Sequence, residues 1–358
     1  MAQQFFPLKI KELHKTTEDC TVVSFEVSDE LKEQFNYQQG QHLTLKAVVN
    51  GEELRRSYSL CSSPLDGEWK VAVKKIVDGR FSTFVNDTLK EGDTLEVMPP
   101  NGRFFCEIDK LKAKHYVAFA AGSGITPIHS IIKTHLQEEP NAQFTLFYLN
   151  RNVQSIILRE EIEGLKNKFL GRFELHHFLT AEERDAPLFN GRFTEEKLDK
   201  ISQSLIDLEN VDEVFICGPM AMTMMIKEFL AEKGMAKDHV HFELFGTPGD
   251  EKKKKKAPKV ANNADASSVS IINNGTKTTF EMPQGGDSFI LDAALQNNAD
   301  LPFACKGGVC CTCRAKLIEG EVDMEVNYAL EEDEVEAGYI LTCQSIPKSK
   351  NILVDFDS

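Results

Sequence analysis

Four cysteines near the end of the chain have the spacing of a metal-ligand set: Cys305, Cys310 and Cys313, then Cys343 after 29 intervening residues. Three thiolates from one tight loop and a fourth from a segment folded beside it can converge on two irons. Cys-x4-Cys-x2-Cys with a distant fourth Cys is the ligand pattern of a [2Fe-2S] centre. Between the first two ligands stand Lys306, Gly307, Gly308 and Val309, and the glycines admit torsions that turn amide N–H groups toward sulfur. Such hydrogen bonds favour the extra negative charge of a reduced cluster. The alternatives are a zinc site or cysteines that are only core. Zinc more often takes two short Cys pairs, whereas Cys343 stands alone. No His pair occupies these positions, which removes a Rieske centre. Cys311 lies off the spacing and is expected to be a small buried residue, not a fifth ligand.

A second set is Arg56-Ser57-Tyr58-Ser59. A flavin dinucleotide needs a cation for its pyrophosphate, an aromatic plane against its rings and a hydrogen-bonding group near N5. Arg56, Tyr58 and Ser59 offer these on one extended segment, with 56 and 58 on the same face. Lys74 adds a cation at the end of a neighbouring run. Gly79-Arg80-Phe81-Ser82-Thr83 opens an expected helix over 81–89, whose N-terminal N–H groups would seat a phosphate, with Gly79, Phe81 and Ser82 at the cofactor. The plain alternative is that Ser82 or Thr83 is an ordinary N-cap.

The third set is a pair of loops. Gly122-Ser123-Gly124-Ile125-Thr126-Pro127 follows an expected strand and precedes an expected helix, where glycines let backbone approach a dinucleotide. Pro127 replaces the third glycine of the usual fingerprint, at a helical position where Pro is tolerated. Cys217-Gly218-Pro219 ends another strand, the end at which open α/β sheets bind ligands. Arg151, just past a third strand, and Arg159 are candidates for the 2′-phosphate that distinguishes NADPH from NADH; each is equally read as a surface arginine.

These sets need elements to hold them. Up to about residue 108, short β-rich runs at 21–27, 42–49, 56–61, 69–76 and 94–98 are separated by Gly, Asn and Asp turns, which predicts a small antiparallel β-barrel. From 116 the pattern becomes strand then helix. Strands are expected at 116–120, 144–149, 173–179 and 213–216, with helices at 127–137, 158–169 and 221–233, an α/β domain on a parallel sheet. Residues 246–267 contain five consecutive lysines and many small residues and read as a linker. Beyond them, 269–272 and 278–281 read as a hairpin, and Ser288 as the cap of a helix over 289–295. The expected division is therefore 1–108, 109–245, linker 246–267 and 268–358. Residues 331–336 form an acidic patch, read either as a solvated face or as a docking surface.

The composition agrees with a multidomain globular chain: 358 residues, 41% hydrophobic, 27% charged. A net charge of −15 argues against a nucleic-acid partner, and no apolar run is long enough for a membrane span. The charge is −9 over 1–245, +3 over the linker and −9 over 268–358, so the last segment is the densest acidic surface. The start lacks a secretory pattern, and nine cysteines in a large chain do not suggest a disulfide framework; the cytoplasm is the expected location. Cys20, Cys61, Cys106 and Cys311 are expected to be structural thiols.

In this order, Arg-x-Tyr-Ser, Gly-x-x-Ser, Gly-x-Gly-x-x-Pro and Cys-Gly-Pro resemble the signature set of the ferredoxin–NADP reductase superfamily over 1–245. Residues 268–358 resemble a plant-type ferredoxin of β-grasp fold. The whole chain is similar to the reductase components of multicomponent oxygenases, and among these to the family of reductase subunits of ring-1,2-phenylacetyl-CoA epoxidase. The matching stretches include 120–127, 215–219, 292–295, 301–309 and 338–344. The resemblance implies FAD, NADPH and one [2Fe-2S] cluster, with electrons passing to a separate di-iron oxygenase. It assigns Arg56, Tyr58, Ser59, Gly79 and Ser82 to FAD, and Gly122, Gly124, Thr126 and Cys217 to NADPH. Ser59 and Cys217 then stand nearest the chemistry, Cys217 as a packing residue beside the nicotinamide. Cys311 departs from the pattern, where a residue such as alanine is expected. Two rival readings remain open: a reductase for another acceptor, such as a Rieske oxygenase, a desaturase or a hybrid-cluster protein, and a non-catalytic redox sensor. The sensor predicts negligible NADPH turnover, whereas both reductase readings predict rapid reduction of cytochrome c.

Overall fold

The computed structural model describes residues 4–245 and 266–358. The chain forms two compact units, one spanning Phe5–Phe245 and the other containing the C-terminal segment. Most of the expected linker lies outside the described residues. Its last two residues, Ala266 and Ser267, belong instead to the first strand of the second unit.

The first unit opens with a six-stranded antiparallel sheet. Its strands are β1 (Phe6–Thr17), β2 (Cys20–Glu26), β3 (His42–Val49), β4 (Glu52–Ser59), β5 (Trp69–Lys74) and β6 (Thr94–Asn101), in the order β4-β3-β6-β1-β2-β5. A bridge between Leu60 and Val71 joins the two ends of that order and closes the sheet into a barrel. Helix α1 (Arg80–Asp87) sends Phe81 and Val85 into the barrel core among Leu43, Val71 and Val97. The β3–β4 hairpin turns on Asn50-Gly51, both at positive φ (53° and 80°), the Asn-Gly pair that a two-residue hairpin loop demands. Strand β1 escapes the sequence pattern because only Leu8 and Ile10 of its twelve residues alternate cleanly inward, among lysines and glutamates.

The unit continues as a strand–helix alternation: β7 (His115–Ala121), α2 (Ile125–Glu138), β8 (Gln143–Asn150), α3 (Arg159–Lys168), β9 (Phe173–Leu179), α4 (Glu195–Ser204), β10 (Glu213–Gly218), α5 (Met220–Glu232) and β11 (Val240–Leu244). All five strands are parallel, in the order β11-β10-β7-β8-β9. The direction of winding reverses between β7 and β10, and the crevice at such a switch point is where open α/β sheets bind ligands. Helix α2 is almost wholly buried because it is sandwiched against the barrel. Ser130 Oγ donates to the Ser62 carbonyl (2.6 Å), and Ser63 and Thr134 share a 2.8 Å hydroxyl contact. The sequence pattern did not reveal α4 or β11.

The second unit is a mixed sheet packed on a helix. It comprises β12 (Ala266–Asn273), β13 (Thr276–Pro283), α6 (Ile290–Gln296), β14 (Arg314–Glu319), β15 (Val322–Met324), α7 (Glu332–Glu336), β16 (Tyr339–Leu341), β17 (Ser345–Pro347) and β18 (Asn351–Asp355). The main sheet runs β13-β12-β18-β14-β16, with β12 and β18 parallel, and β15 pairs with β17. Ile290, Leu291, Ala293 and Ala294 of α6 bury against Val269, Ile271, Ile352 and Val354. The N-cap of α6 is Phe289 without a side-chain cap bond, so Ser288 does not cap it. Among the described residues no helix is long and apolar enough to cross a membrane.

Candidate functional site

The cysteine loop is built by strand pairing. The β14–β16 register sets Arg314 opposite Leu341, which brings Cys313 beside Thr342, the residue before Cys343. Thr342 secures them, its N–H and hydroxyl both donating to the Cys313 carbonyl (3.2 and 3.0 Å). The four thiols lie near enough to perturb one another: Cys305 interacts with Cys310 and Cys343, and Cys343 with Cys313. The N–H of Gly307 donates to Cys305 Sγ at 3.3 Å. The left-handed positions of the loop are Lys306 (φ 51°), Gly308 (75°) and Cys311 (52°), not Gly307. A Cβ on Gly308 would lie 2.9 Å from the Val326 carbonyl oxygen, so this glycine is required. Four convergent thiols with an amide donor on sulfur fit a [2Fe-2S] cluster. Cys311 is only partly buried, contrary to expectation, and directs its Sγ to the Ala329 carbonyl (3.2 Å). In the acidic patch, Glu334 is buried and paired with Arg314 (2.9 Å), while Glu331, Glu332, Asp333 and Glu336 are exposed.

In the first unit, the two glycine loops pack on each other at the switch point. A Cβ on Gly124 would lie 2.1 Å from the Cys217 carbonyl oxygen, and one on Gly218 would lie 3.0 Å from Ala121 Cβ. Gly122 is left-handed (φ 51°), and its carbonyl accepts from the Tyr148 hydroxyl (3.0 Å). The loops open into a cleft of about 390 Å³. Of the expected residues, Lys74, Gly122, Gly124, Arg151, Gly218 and Pro219 line it. Thr126 does not: it is buried, with its hydroxyl donating to the Ser123 carbonyl (3.1 Å), and shapes the loop from behind. Cys217 is fully buried and also off the cleft wall, and burial pushes its thiol well above the ordinary range. Arg159 is not brought in, because it begins α3 and pairs one turn along with Glu163 (2.8 Å). Sequence reading missed Asn150, Ser155, Thr180 and Arg192, which also line the cleft. The Asn150 Nδ2 is buried beside the Tyr148 hydroxyl and makes no well-aligned hydrogen bond among the described residues.

At the barrel edge, Arg56 is exposed and donates only to its neighbour's carbonyl (Arg55, 2.7 Å), leaving its charge without a carboxylate among the described residues. Tyr58 is half-buried, backed by the Phe81 ring at 5.9 Å and 31°. Phe81 is therefore core and supports Tyr58 instead of facing a ligand. Helix α1 begins at Arg80 with Gly79 as a cap that has no side chain to offer. The first helical bond is Thr83 N–H to Gly79 O (2.9 Å), which leaves the N–H groups of residues 80–82 outside the ladder. Ser82 is not the N-cap. Its buried hydroxyl donates to Gly79 O (3.0 Å) and accepts from Ile76 N–H (3.2 Å), tightening the loop. An unpaired cation, an aromatic plane and a helix N-terminus fit a flavin dinucleotide.

Glu243 joins the two halves of this unit and was not foreseen. It sits on β11 in register with Cys217 on β10, and Ser59 Oγ donates to its Oε2 at 3.0 Å. Burial raises its carboxyl to about 7. The unread strand β11 is why it was missed; the alternation His241, Glu243, Phe245 near a Gly could have suggested it. Cys20, Cys61 and Cys106 are thiols that burial pushes up to about 12, too high for reactivity.

A flavin seat on a barrel, a nucleotide cleft on a parallel sheet and a four-cysteine loop on a β-grasp module together define an NAD(P)H-dependent flavin oxidoreductase of the reductase-component class. Family models agree: an oxidoreductase FAD-binding domain matches 7–106, an oxidoreductase NAD-binding domain 119–228, and a 2Fe-2S iron-sulfur cluster binding domain 271–348. The chain is 44% identical to a subunit of the Escherichia coli 1,2-phenylacetyl-CoA epoxidase, over 99% of this chain and 98% of that one. It is 32% identical to the ferredoxin reductase component of a Rhodococcus rhodochrous 3-ketosteroid-9-alpha-monooxygenase, over 98% and 96%. Among solved structures, phthalate dioxygenase reductase matches with a TM-score of 0.57 at 26% identity, covering 98% of each chain. The chain belongs to the family of phenylacetyl-CoA epoxidase reductase subunits.

Proposed function

We propose that this chain takes electrons from NADPH, passes them through FAD and a [2Fe-2S] cluster, and delivers them to the di-iron oxygenase component of a phenylacetyl-CoA epoxidase. The observation that carries the acceptor is the 44% identity to a phenylacetyl-CoA epoxidase subunit along nearly its full length. NADPH over NADH rests on the cleft. Arg151 and Arg192 both line it, and no Asp or Glu among the described lining residues stands ready to take a ribose 2′-hydroxyl.

Cys305, Cys310, Cys313 and Cys343 would hold the cluster. Arg56 and the start of α1 would hold the flavin pyrophosphate, and Tyr58 and Ser59 its ring system. When bound, the flavin takes an electron pair from the nicotinamide and the cluster takes electrons singly. The chain supplies placement. Gly124 lets the two loops close beneath the nicotinamide, Asn150 and the two arginines orient the nucleotide, and Cys217 packs behind the loops as a neutral thiol. Ser59 and Glu243 hold a proton at Oε2 beside the flavin edge.

The test is reconstitution: NADPH oxidation by the purified chain, coupled to product formation by a phenylacetyl-CoA epoxidase oxygenase component. Turnover with cytochrome c but none with that oxygenase would assign another acceptor. For the nucleotide, Arg151→Ala and Arg192→Ala are each expected to lower kcat/KM for NADPH by about tenfold or more while leaving NADH nearly unchanged. An equal loss for both nucleotides would remove the 2′-phosphate role.

A further inference from the structure

The loop between the first two cluster ligands is held by its carbonyls. A trans peptide unit is planar, with its C=O and N–H pointing in opposite directions, so fixing one aims the other. The Lys306 carbonyl accepts from Gln344 Nε2 at 3.1 Å, and the N–H of the same unit, that of Gly307, donates to Cys305 Sγ at 3.3 Å. Two residues on, the arrangement repeats: the Gly308 carbonyl accepts from the Tyr328 N–H (3.1 Å), and the Val309 N–H faces Cys305. The first anchor differs from the second because it is a side chain, reaching in from beside the fourth ligand. Gln344 is buried, at 6% exposure, and its backbone is pinned on both sides: its N–H donates to the Leu341 carbonyl (2.9 Å) and its carbonyl accepts from the Glu325 N–H (3.0 Å). Nε2 also donates to the Cys343 carbonyl (2.6 Å) and lies 3.7 Å from Cys343 Sγ. All three of these contacts are acceptors, which turns the nitrogen of the amide, not its oxygen, toward the loop. Lys306 stands at φ 51° without being glycine, so the turn that presents this unit is not one the residue favours by itself.

We propose that Gln344 is a positioning residue for the cluster: by anchoring the Lys306 carbonyl it keeps the Gly307 N–H on the Cys305 sulfur, and so raises the reduction potential of the [2Fe-2S] centre. The inference rests on the four cysteines being the cluster ligands. A reduced cluster carries one more negative charge than an oxidised one, so a donor on a ligand sulfur stabilises the reduced form more. Releasing the anchor frees the 306–307 unit to rotate, and the negative end of its carbonyl can then face the sulfur where the N–H was. The Gln344 amide also sets its own positive end beside Cys343 Sγ, an effect of the same sign. The Lys306 ammonium does not take over this part, because it is drawn off to Asp292 at 2.7 Å. Gln344 itself exchanges no electron and no proton; it sets how readily the cluster accepts the electron that the flavin supplies.

The test is an EPR-monitored redox titration of the cluster in the full-length, FAD-loaded protein, comparing wild type with Gln344→Met and Gln344→Glu. Methionine keeps the volume and removes the donor, while glutamate keeps the shape and turns an oxygen toward the Lys306 carbonyl. Each is expected to lower the reduced-to-oxidised ratio at a fixed potential about tenfold, a fall of ~59 mV in midpoint. A second readout is electron–nuclear double resonance on the reduced cluster after deuterium exchange, where the coupling of exchangeable amide protons is expected to weaken in both variants. FAD content and flavin reduction by NADPH are expected to be unchanged. A Gln344→Met protein with the wild-type midpoint and couplings would overturn the role of Gln344. Variants that lose part of their cluster while the remainder keeps the wild-type midpoint would overturn it too, since Gln344 would then only pack the loop, as would failure of both variants to load a cluster. A wild-type protein with no EPR signal on reduction would instead remove the ligand assignment beneath the inference.

Discussion

Glu243 carries an unusual burden for a single side chain, since it is a carboxyl raised to about 7 by burial, with one hydrogen bond from Ser59 working against that rise. The unfolded chain has the ordinary value of 4.5, so between 4.5 and about 7 the folded state keeps a proton that the unfolded chain gives up. The stability from this group is complete below 4.5, falls as pH rises and is lost above about 7. Glu243→Gln has no such fall. The variant is therefore expected to gain on wild type by on the order of 3 kcal/mol between the two ends of that window, read by urea unfolding with flavin release as the signal. A difference independent of pH would mean the carboxyl titrates normally. At the other end of the chain, Cys343 is the ligand that comes from outside the loop, brought in by the β14–β16 register. Cys343→Ser is expected to lose the cluster absorbance and its reduced-state EPR signal while retaining full FAD content and flavin reduction by NADPH. Loss of the flavin as well would contradict independent modules.

The elements explain which parts of the site were legible. The Cys305–Cys313 run and the two glycine loops are contiguous motifs, legible as candidates from spacing alone, and Cys343 is legible only as a distant partner. The strands that carry the glycine loops, β7 and β10, run apolar strongly enough to be read. Glu243 and Arg192 belong to no motif; β11 and the segment before α4 bring them to the site, a fact of topology. Phe81 and Arg159 show the reverse error. Each stands beside a motif, but helix geometry turns Phe81 into the core and pairs Arg159 with Glu163. The two loops cross in tight contact at Gly124. Gly124→Ala would drive a Cβ to 2.1 Å from the Cys217 carbonyl oxygen, a backbone atom that cannot rotate away. The loops must separate, at a cost of about 1–3 kcal/mol in stability. The variant is expected to bind FAD normally, since the flavin seat lies on β4 and α1, but to raise KM for NADPH about tenfold. Steady-state kinetics with flavin content measured alongside checks both halves of that expectation.

At the scale of the whole molecule, each unit has its own core. Val71, Ile128 and Phe215 belong to core clusters of the first unit, and Val269, Ile290 and Val354 to a separate cluster in the second. The strands that tie each unit together are also internal. The first and last strands of the second unit, β12 and β18, pair directly in parallel, which ties the two ends of its sequence into one sheet. Both units should therefore fold and load their cofactors when separated within 246–265, the segment outside the described residues. The N-terminal piece is expected to reduce ferricyanide with NADPH at close to the intact rate, because hydride transfer needs only the barrel and the parallel sheet. Its cytochrome c turnover is expected to fall by about tenfold or more, because single electrons leave through the cluster. The C-terminal piece is expected to hold a reducible cluster with no NADPH activity. Mixing the pieces turns an intramolecular step into a bimolecular one, so the restored rate should rise linearly with the concentration of the C-terminal piece instead of saturating at once. A split protein that keeps full cytochrome c activity without its C-terminal piece would show that the flavin can bypass the cluster.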